Sequence, residues 1–445
     1  MHRPQSVAAM PHRMAPPPAA PLGTYAKSSP PPSFSGAVGV ADSHADQQKR
    51  TIQTIRAERY GLLATARKVL SAAGRASGLA FGHDLHRTAK CKHITHGSQV
   101  GVHMDKAHGK AFFSGLVTCG SVWSCPVCAA KIQERRREEI AQAVDWAYAK
   151  GLQPVLITLT FPHRAWHKLR TLLDQQADAL ARLRKGRQWD EFKTSIGYEG
   201  MIRSLELTHG QHGWHPHTHE LFFVKKDAEA EQIKAQILKF WLSACVRSGL
   251  VDAENQEQID AFLMHAVDVK GHCSASDYLA KQDDSKHWGV DRELAKASSK
   301  AGKAKGLHAF GLLKQAETCK KSARLFLIFS LSMRGKRQIF WSKGLKKRVG
   351  VDEVSDETLA EQERETADLL GQLDTDDWRT VREAGAQAAV LDAAEGGGWP
   401  AVEVLMEALT RAEIKRLEGV MGAFTDHTKP PHKGLFVPPL SRTVR

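Results

Sequence analysis

The chain has 445 residues, of which 42% are hydrophobic and 25% are charged, and its 63 Lys and Arg residues outnumber 49 Asp and Glu residues to give a net charge of +14. This length allows two or three globular domains. No apolar run approaches the roughly 20 residues that cross a bilayer, and the N-terminus lacks the apolar core of a signal peptide. We therefore exclude a membrane protein and expect a cytoplasmic protein with a polyanionic partner, of which nucleic acid is the first choice.

The ends of the chain differ from its middle in composition. Half of the 18 prolines lie in the first 32 residues, so residues 1–48 are predicted to be a disordered tail. A mitochondrial-type presequence is the alternative, although its Arg-rich amphipathic pattern is missing. Residues 286–350 form a basic segment with 17 Lys and Arg against three acidic residues. The acidic, Ala/Leu/Glu-rich residues 351–428 predict helices, and residues 429–445 predict a flexible tail.

The middle of the chain alternates between strand and helix patterns. The predicted elements are, in chain order, a strand at Pro154–Phe161, a helix at 165–189, strands at Met201–Thr208 and His217–Val224 joined by a turn at 209–213, a helix at Asp227–Arg247, a strand around His265–Val269 and a short helix at 274–282. The resulting β-α-β-β-α-β-α order predicts an α+β protein whose core, residues 151–285, is a ferredoxin-like (RRM-like) split βαβ sheet with helices on one face.

A cluster of cysteines predicts a structural zinc site within residues 49–150. Cys119, Cys125 and Cys128 offer three thiolates, and CxxC forms the tight turn that tetrahedral Zn²⁺ prefers. Cys91 is the natural fourth ligand and would complete a four-cysteine, ribbon-like module. The alternatives for the fourth ligand are His93, His96, His103 and His108. Free buried cysteines or a redox CxxC are the other readings of this cluster.

A second metal site is predicted on the strand that contains the sequence HPHTHEL. His217 and His219 emerge on the same face of a strand and can share one ion. An antiparallel hairpin would bring Glu206 from the preceding strand to the same place. Two imidazoles and one carboxylate form a typical site for a catalytic divalent ion. The alternative is a surface strand that is simply rich in histidine.

The short helix at 274–282 carries Tyr278 and Lys281 on one face, where a phenol and an ammonium can address the same phosphate. A nearby cation would favour the nucleophilic phenolate. The alternative is a half-buried tyrosine beside a solvated lysine.

These motifs together resemble those of the HUH endonucleases, specifically the rolling-circle replication initiators of bacterial plasmids. The resemblance rests on TLTF at 158–161, HPHTHEL at 215–221 and YLAK at 278–281, with CGSVWSCPVCAAKI at 119–132 upstream and WSKGLKKR at 341–348 downstream. It covers roughly residues 85–350, with the five motifs in the family's order. The resemblance implies a bacterial, DNA-nicking enzyme.

Carried over by this resemblance, His217, His219 and Glu206 would bind catalytic Mg²⁺ or Mn²⁺, and Tyr278 would be the nucleophile. The implied partners are single-stranded or hairpin origin DNA and the host's helicase, single-strand-binding protein and polymerase. Related initiators have a glutamate one helical turn before the tyrosine, where this chain has Ser274, so its termination step should differ. Two alternatives remain at this point: an HUH relaxase or transposase, and a zinc-dependent DNA-binding regulator without chemistry.

The basic segment is expected to bind DNA through contacts with its phosphates. Its candidate phosphate contacts are Lys343, Lys346, Lys347 and Arg348. Its aromatic residues could stack on bases or could pack in the core, and they are Trp288, Phe310, Phe340 and Trp341. Within this segment, the apolar run Leu325–Leu331 predicts a buried strand. A structural strand and turn at WSKGLKK, with solvated lysines, is the alternative to DNA contact.

Overall fold

The computed structural model describes residues 44–76, 86–271, 306–361 and 367–425. The chain divides into two compact units. The first contains residues 1–92 and 118–362, and the second contains residues 93–117 and 363–445. Most of the predicted N-terminal tail, the predicted helix at 274–282 and the predicted C-terminal tail lie outside the described residues.

The described residues contain eight strands. In chain order they are β1 (Val100–Asp105), β2 (Lys110–Phe113), β3 (Leu152–Leu159), β4 (Gly200–Gly210), β5 (Gly213–Lys225), β6 (Val267–Lys270), β7 (Ile339–Trp341) and β8 (Ala367–Leu373).

Helices occupy most of the remaining described chain. They are α1 (His44–Ala76), α2 (Arg87–Lys90), α3 (Pro126–Ala149), α4 (Leu169–Leu183), α5 (Arg187–Ser195), α6 (Ala230–Arg247), α7 (Gln256–His265), α8 (Ala309–Gln315), α9 (Lys320–Ser332), α10 (Leu345–Val349), α11 (Asp356–Glu361), α12 (Thr375–Glu383) and α13 (Gln387–Thr425). The last of these is kinked at Gly397 and Gly398. None of the helices in these ranges combines the length and hydropathy that a bilayer crossing requires.

The first unit is organised around a five-stranded sheet in the order β6-β3-β5-β4-β7, with every neighbouring pair antiparallel. Alternation along the strands gives the sheet two different faces. One face contributes Val155, Ile157, Phe222 and Val224 to a large core that also contains the buried residues of α4 and α6. The predicted α+β class is therefore confirmed.

The described residues cover the opposite face of the sheet only in part. Leu156, Leu221 and Phe223 pack there against the C-terminal half of α3 in a smaller apolar cluster. Further along β5, the same face carries His217 and His219. Apolar packing thus fixes one end of this face, and polar side chains occupy the other.

The second unit pairs two segments that lie far apart in the sequence. Its three-stranded sheet has the order β2-β1-β8, with β1 antiparallel to both neighbours. The indole of Trp378 packs edge-on against Phe113 and donates a hydrogen bond to the carbonyl of His93. Also in β2, the backbone N–H of Ala111 donates a hydrogen bond to the Glu395 carboxylate.

Three predicted elements differ in the structure. Leu325–Leu331, predicted to be a buried strand, lies within helix α9, and only part of it is buried, since Phe326 and Phe329 are fully buried but Leu331 is 52% exposed. The acidic region 351–428, predicted to be helical, also contains the strand β8. His265, predicted to lie in a strand, ends helix α7, because the strand begins at Val267.

Candidate metal centres

The hairpin of β4 and β5 positions the first metal centre. Gly210 pairs with Gly213, so the turn between the strands has only two residues, shorter than the predicted one. Gly213 has a φ of +84°, and a Cβ there would lie 2.9 Å from the Cα of Ala165. Only glycine fits both constraints without strain. This turn fixes the register that sets Glu206 directly opposite His217.

The three predicted ligands of this centre converge. Glu206 Oε2 lies 3.1 Å from His217 Nε2 and 3.4 Å from His219 Nε2. Each of the three residues is less than 9% exposed. Ligands at right angles around an ion about 2.1 Å away are themselves about 3.0 Å apart. The observed separations therefore fit a single divalent ion.

The electrostatics of Glu206 support the same interpretation. Burial opposes ionisation of this carboxyl, but the neighbouring His219 and His217 imidazoles outweigh burial and hold its pKa far below the usual range. Its second oxygen, Oε1, is buried and has no hydrogen-bond partner among the described residues. A buried anionic oxygen without a donor is costly unless a cation is present. The donor set is thus suited to a cation.

Hydrogen bonds behind the ligands orient the two imidazoles. His219 Nδ1 lies 2.9 Å from Thr158 Oγ1, and His217 Nδ1 lies 3.4 Å from the carbonyl oxygen of His215. Donation from each Nδ1–H leaves the lone pair of Nε2 available to an ion. Thr158 lies in the TLTF motif, but the sequence alone predicted no role for its side chain. The alternation of β3, which pairs Thr158 with His219, was the available signal.

Two further histidines lie beside the centre. His163 Nε2 is 2.6 Å from His215 Nδ1, and His215 Nε2 is 3.3 Å from Thr160 Oγ1. Burial lowers the pKa of His163 to about 4 and also lowers the pKa of His215. Both rings are therefore neutral near pH 7. The sequence alone predicted no role for either histidine.

Tyr278 and Lys281 lie outside the described residues. The described chain on either side has defined positions. β6 ends at Lys270, next to β3. Further along the chain, Leu307 pairs with His209 through backbone hydrogen bonds of 2.7 and 2.8 Å. His209 is three residues from Glu206 on β4. Leu307 therefore lies at the end of the sheet that carries the metal ligands.

The second centre is formed by four cysteines, three at helix ends and one in a loop. Cys91 caps the C-terminus of α2, Cys125 caps the N-terminus of α3, and Cys128 lies in the first turn of α3. Cys119 lies in the loop before α3. Cys125 Sγ accepts a hydrogen bond from the Cys128 backbone N–H, and Cys119 Sγ accepts one from the backbone N–H of Ser121. The four sites therefore sit on helix ends and a loop, whereas a zinc ribbon would place them on hairpins.

The four sulfur atoms have the spacing of a tetrahedral site. Cys91 and Cys128 Sγ are 3.5 Å apart, while the Cys119–Cys128 and Cys91–Cys125 separations are both 3.7 Å. A Zn–S bond of about 2.3 Å implies sulfur separations of about 3.8 Å in a tetrahedron. All four cysteines are buried and free of disulfides. No histidine belongs to the group, so Cys91 joins the other three as the sequence favoured.

The proton affinities of these thiols differ. Burial raises the pKa of Cys125, whereas hydrogen bonds from Cys119, Cys125 and Cys91 lower the pKa of Cys128. The cluster thus favours at least one thiolate, which is the form that binds metal.

The four cations of WSKGLKKR differ in exposure. Lys343 and Lys347 are exposed, but Lys346 is only 5% exposed. The Lys346 ammonium lies 3.3 Å from Glu139 and donates to the carbonyl of Asp352. Arg348 forms an exposed ion pair with Glu199 at 2.9 Å. The charge of Lys346 is therefore already paired inside the unit, which argues against the predicted phosphate contact at this residue.

The aromatic residues of the basic segment also differ in exposure. Phe310 is buried in the core, as the structural alternative expected. Phe340 and Trp341 lie on β7 at the edge of the sheet and are half-buried. Trp288 is outside the described residues. Among the described aromatic residues of this segment, Phe340 and Trp341 are therefore the two that remain candidates for base stacking.

Comparisons with known proteins agree with these features. A family described as "Replication protein" matches residues 115–384. A protein named "Protein rep" from Streptomyces lividans is 35% identical over 159 residues, which cover 30% of this chain and 35% of that protein. A protein named "Neomycin resistance protein" from Streptomyces cyanogenus is 33% identical over 151 residues, covering 28% of this chain and 35% of that protein.

The matches to these curated relatives span about a third of each relative's length. No solved structure gives a significant match. The family match, in contrast, covers more than half of the chain and includes both metal centres apart from Cys91. This chain belongs to the replication protein family.

Proposed function

We propose that this protein initiates plasmid rolling-circle replication by nicking one strand of origin DNA through Tyr278. The observation that carries the proposal is the convergence of Glu206, His217 and His219 on one point at 3.1 and 3.4 Å. Membership of the replication protein family supports the same conclusion.

The topology of the first unit supports an HUH-type core. If β3, β4, β5 and β6 are numbered as strands one to four, their spatial order is 4-1-3-2, with β7 added beside strand two. Helix α4 connects the first two strands, and α6 follows the third. This connectivity supports the proposed split βαβ, ferredoxin-like arrangement. The His-x-His pair then lies on a central strand.

The chain's own residues supply the proposed chemistry. A divalent cation, Mg²⁺ or Mn²⁺, held by Glu206, His217 and His219 would polarise a non-bridging phosphate oxygen. The Tyr278 phenolate attacks phosphorus, a Tyr–O–P bond forms, and the bond from phosphorus to the 3′ oxygen breaks. The departing 3′ oxygen takes up a proton from solvent, which balances the one that the Tyr278 phenol released, so the products are a 5′-phosphotyrosyl protein and a free 3′-OH that primes synthesis. Lys281 is proposed to contact the same phosphate.

Chain length permits Tyr278 to reach this centre. Lys270 pairs with Leu156, two residues along β3 from the partner of His219. Strand spacings place Lys270 roughly 12 Å from His219. The eight residues from Lys270 to Tyr278 can span at most about 26 to 29 Å.

The remaining groups are proposed to support this reaction. Cys91, Cys119, Cys125 and Cys128 would hold a structural Zn²⁺ between α2 and α3. Lys343, Lys347 and Arg348 are the candidate phosphate contacts at the sheet edge. The partners would be single-stranded or hairpin origin DNA and the host replication proteins.

The test is the formation of a covalent adduct. The protein is incubated with single-stranded origin DNA and Mn²⁺ and then denatured, and the DNA-linked protein is measured on a gel. Wild type should form the adduct, and Tyr278→Phe should form none while it still binds DNA. Tyr148→Phe, which changes an exposed phenol on α3, is the matched control and should form the adduct normally.

Two results would contradict the proposal. An adduct formed by Tyr278→Phe would assign the nucleophile to another residue. Sequence-specific binding by wild type without any adduct would instead favour the zinc-dependent regulator.

A further inference from the structure

A second pocket lies on the sheet face opposite the Glu206 centre. It has a volume of about 420 Å³ and lies between α4, the strands β4 and β5, and residues 336–340. Thr218 lines it, whereas its neighbours His217 and His219 point to the other face. The volume is within the range of small-molecule sites, about 300 to 1,000 Å³.

The walls of this pocket are largely apolar. Leu173, Ala177 and Leu180 of α4 face Met201 and Leu205 of β4 across it, and Phe340 of β7 closes one side. Such a slot can hold a flat, weakly polar group, because burial of apolar surface favours binding and an aromatic ring can stack on Phe340.

Four cations line the same pocket: Arg184, Arg203, Lys336 and Arg337. Arg184 is neutralised by an ion pair with the buried Glu220, and Lys336 lies 3.5 Å from Asp174. Arg203 is partly buried over the ring of Phe340 and has no hydrogen bond or ion pair to any described residue. Arg337 is exposed on the rim. The carboxylate nearest to Arg203 is that of its cross-strand neighbour Glu220, which is already paired with Arg184. Two partly buried guanidinium groups that share one carboxylate favour an anionic ligand.

Two buried polar groups also lack partners. Gln176 and Thr218 line the pocket and are 2% and 1% exposed. Gln176 Nε2 and Thr218 Oγ1 make no hydrogen bond within the described chain. Buried polar atoms are nearly always satisfied in folded proteins. A ligand with its own donors and acceptors, such as a nucleobase edge, would satisfy them.

We infer that this pocket binds one nucleotide, with its base between α4 and Phe340 and its phosphate at Arg203 and Arg337. The apolar slot matches the flat face of a base, and the polar atoms without partners match the donors and acceptors on the edge of the base. The cations beside the slot match the phosphate. Two sources share this chemistry, a free nucleotide and a unit of single-stranded DNA, and only the second rests on the proposed function.

The first test uses the four deoxynucleoside 5′-monophosphates, their nucleosides and inorganic phosphate, titrated separately into the full chain by calorimetry. At least one monophosphate should bind ten times more tightly than its nucleoside and than phosphate. Arg203→Gln should weaken that binding about tenfold or more, because a hydrogen bond to a charged group is worth roughly 1.5 to 3 kcal/mol. If no monophosphate binds, the inference is wrong.

A blocking variant distinguishes this pocket from the metal centre. Ala177→Trp places an indole in the slot from an exposed position on α4, and Thr171→Trp on the same helix is the control because it is exposed and does not line the pocket. Ala177→Trp should abolish monophosphate binding, and Thr171→Trp should retain it. Unchanged binding by Ala177→Trp, with an unfolding midpoint like that of wild type, would overturn the inference. Ala181→Trp repeats the test if the first variant does not fold.

A third titration identifies the source of the nucleotide. If Ala177→Trp also weakens binding of a short single-stranded oligonucleotide, the ligand is a unit of DNA. If it affects only free monophosphates, the ligand is a free nucleotide. Glu206→Gln should leave monophosphate binding at this pocket unchanged, so failure of the adduct assay and failure of this inference are distinguishable.

Discussion

Replacement of Cys91 with serine tests the tetrahedral zinc site most directly. The sulfur separations of 3.5 to 3.7 Å correspond to ion–sulfur distances of about 2.1 to 2.3 Å in a regular tetrahedron. X-ray absorption at the zinc edge should therefore show four sulfur neighbours at about 2.3 Å in wild type. Cys91→Ser should lose the ion or hold it with three sulfurs.

The loss of this ion should be costly. Structural zinc binds with an apparent free energy of about 10 to 16 kcal/mol, and a typical domain is stable by only about 5 to 15 kcal/mol. Cys91 joins α2 to the start of α3, and its carbonyl also accepts a hydrogen bond from Arg67 of α1. We expect Cys91→Ser to lower the free energy of unfolding by more than about 4 kcal/mol.

The assay combines metal content with urea unfolding, with and without a chelator. Cys245→Ser is the matched control, because Cys245 is equally buried on α6 but does not belong to the cluster. It should keep one zinc per chain. Wild-type protein without zinc, or a Cys91→Ser variant with the same zinc content and stability as wild type, would refute the site.

Further predictions concern the remaining charged groups. Changing Lys343 and Lys347 to Gln should lower the slope of log affinity for DNA against log salt by about 1.4 for single strands or 1.8 for duplex, and an unchanged slope would exclude them as phosphate contacts. Lys346→Met should leave that slope unchanged but lower the free energy of unfolding by about 1 to 3 kcal/mol in urea unfolding, because Glu139 would keep Arg136 but lose its second cation, and the carbonyl of Asp352 would lose its donor. Glu206→Gln should weaken Mn²⁺ binding, measured by electron paramagnetic resonance, by at least about tenfold, since loss of groups behind a ligand already costs that much. The pKa of His163 is lowered to about 4 in the fold, so the unfolded chain binds more protons between about pH 6.5 and 4 and stability should fall as pH falls through that window. His163→Gln should flatten this dependence, and an identical pH profile would contradict the assigned pKa.

The sequence was most informative where a local pattern determines a contact. Alternation on β5 placed His217 and His219 on one face, and the short hairpin then required Glu206 to lie opposite. Leu325–Leu331 was misassigned because a short apolar run fits a buried strand and a buried helix equally well. Only its packing in the core decides between them.

The sequence also could not predict which individual side chains would be buried. Lys346 stands in a run of three cations, and nothing in that run distinguishes it from Lys347. The distinction arises because Glu139, on α3, lies within 3.3 Å of Lys346 after folding. The contact of Thr158 with His219 likewise follows from strand register. The position of Arg203 over the ring of Phe340 follows from packing against β7.

The pairing of β1 with β8 has a consequence for synthesis of the chain. Val100 pairs with Leu373, so the two strands are separated by about 270 residues. At translation rates of about 5 to 20 residues per second, β1 must wait roughly 14 to 55 s on the ribosome for its partner. During that time one edge of the β1–β2 hairpin is open to pairing with other chains. Any chain that stops before residue 367 leaves this edge open permanently, so premature termination should produce aggregation rather than a smaller folded protein.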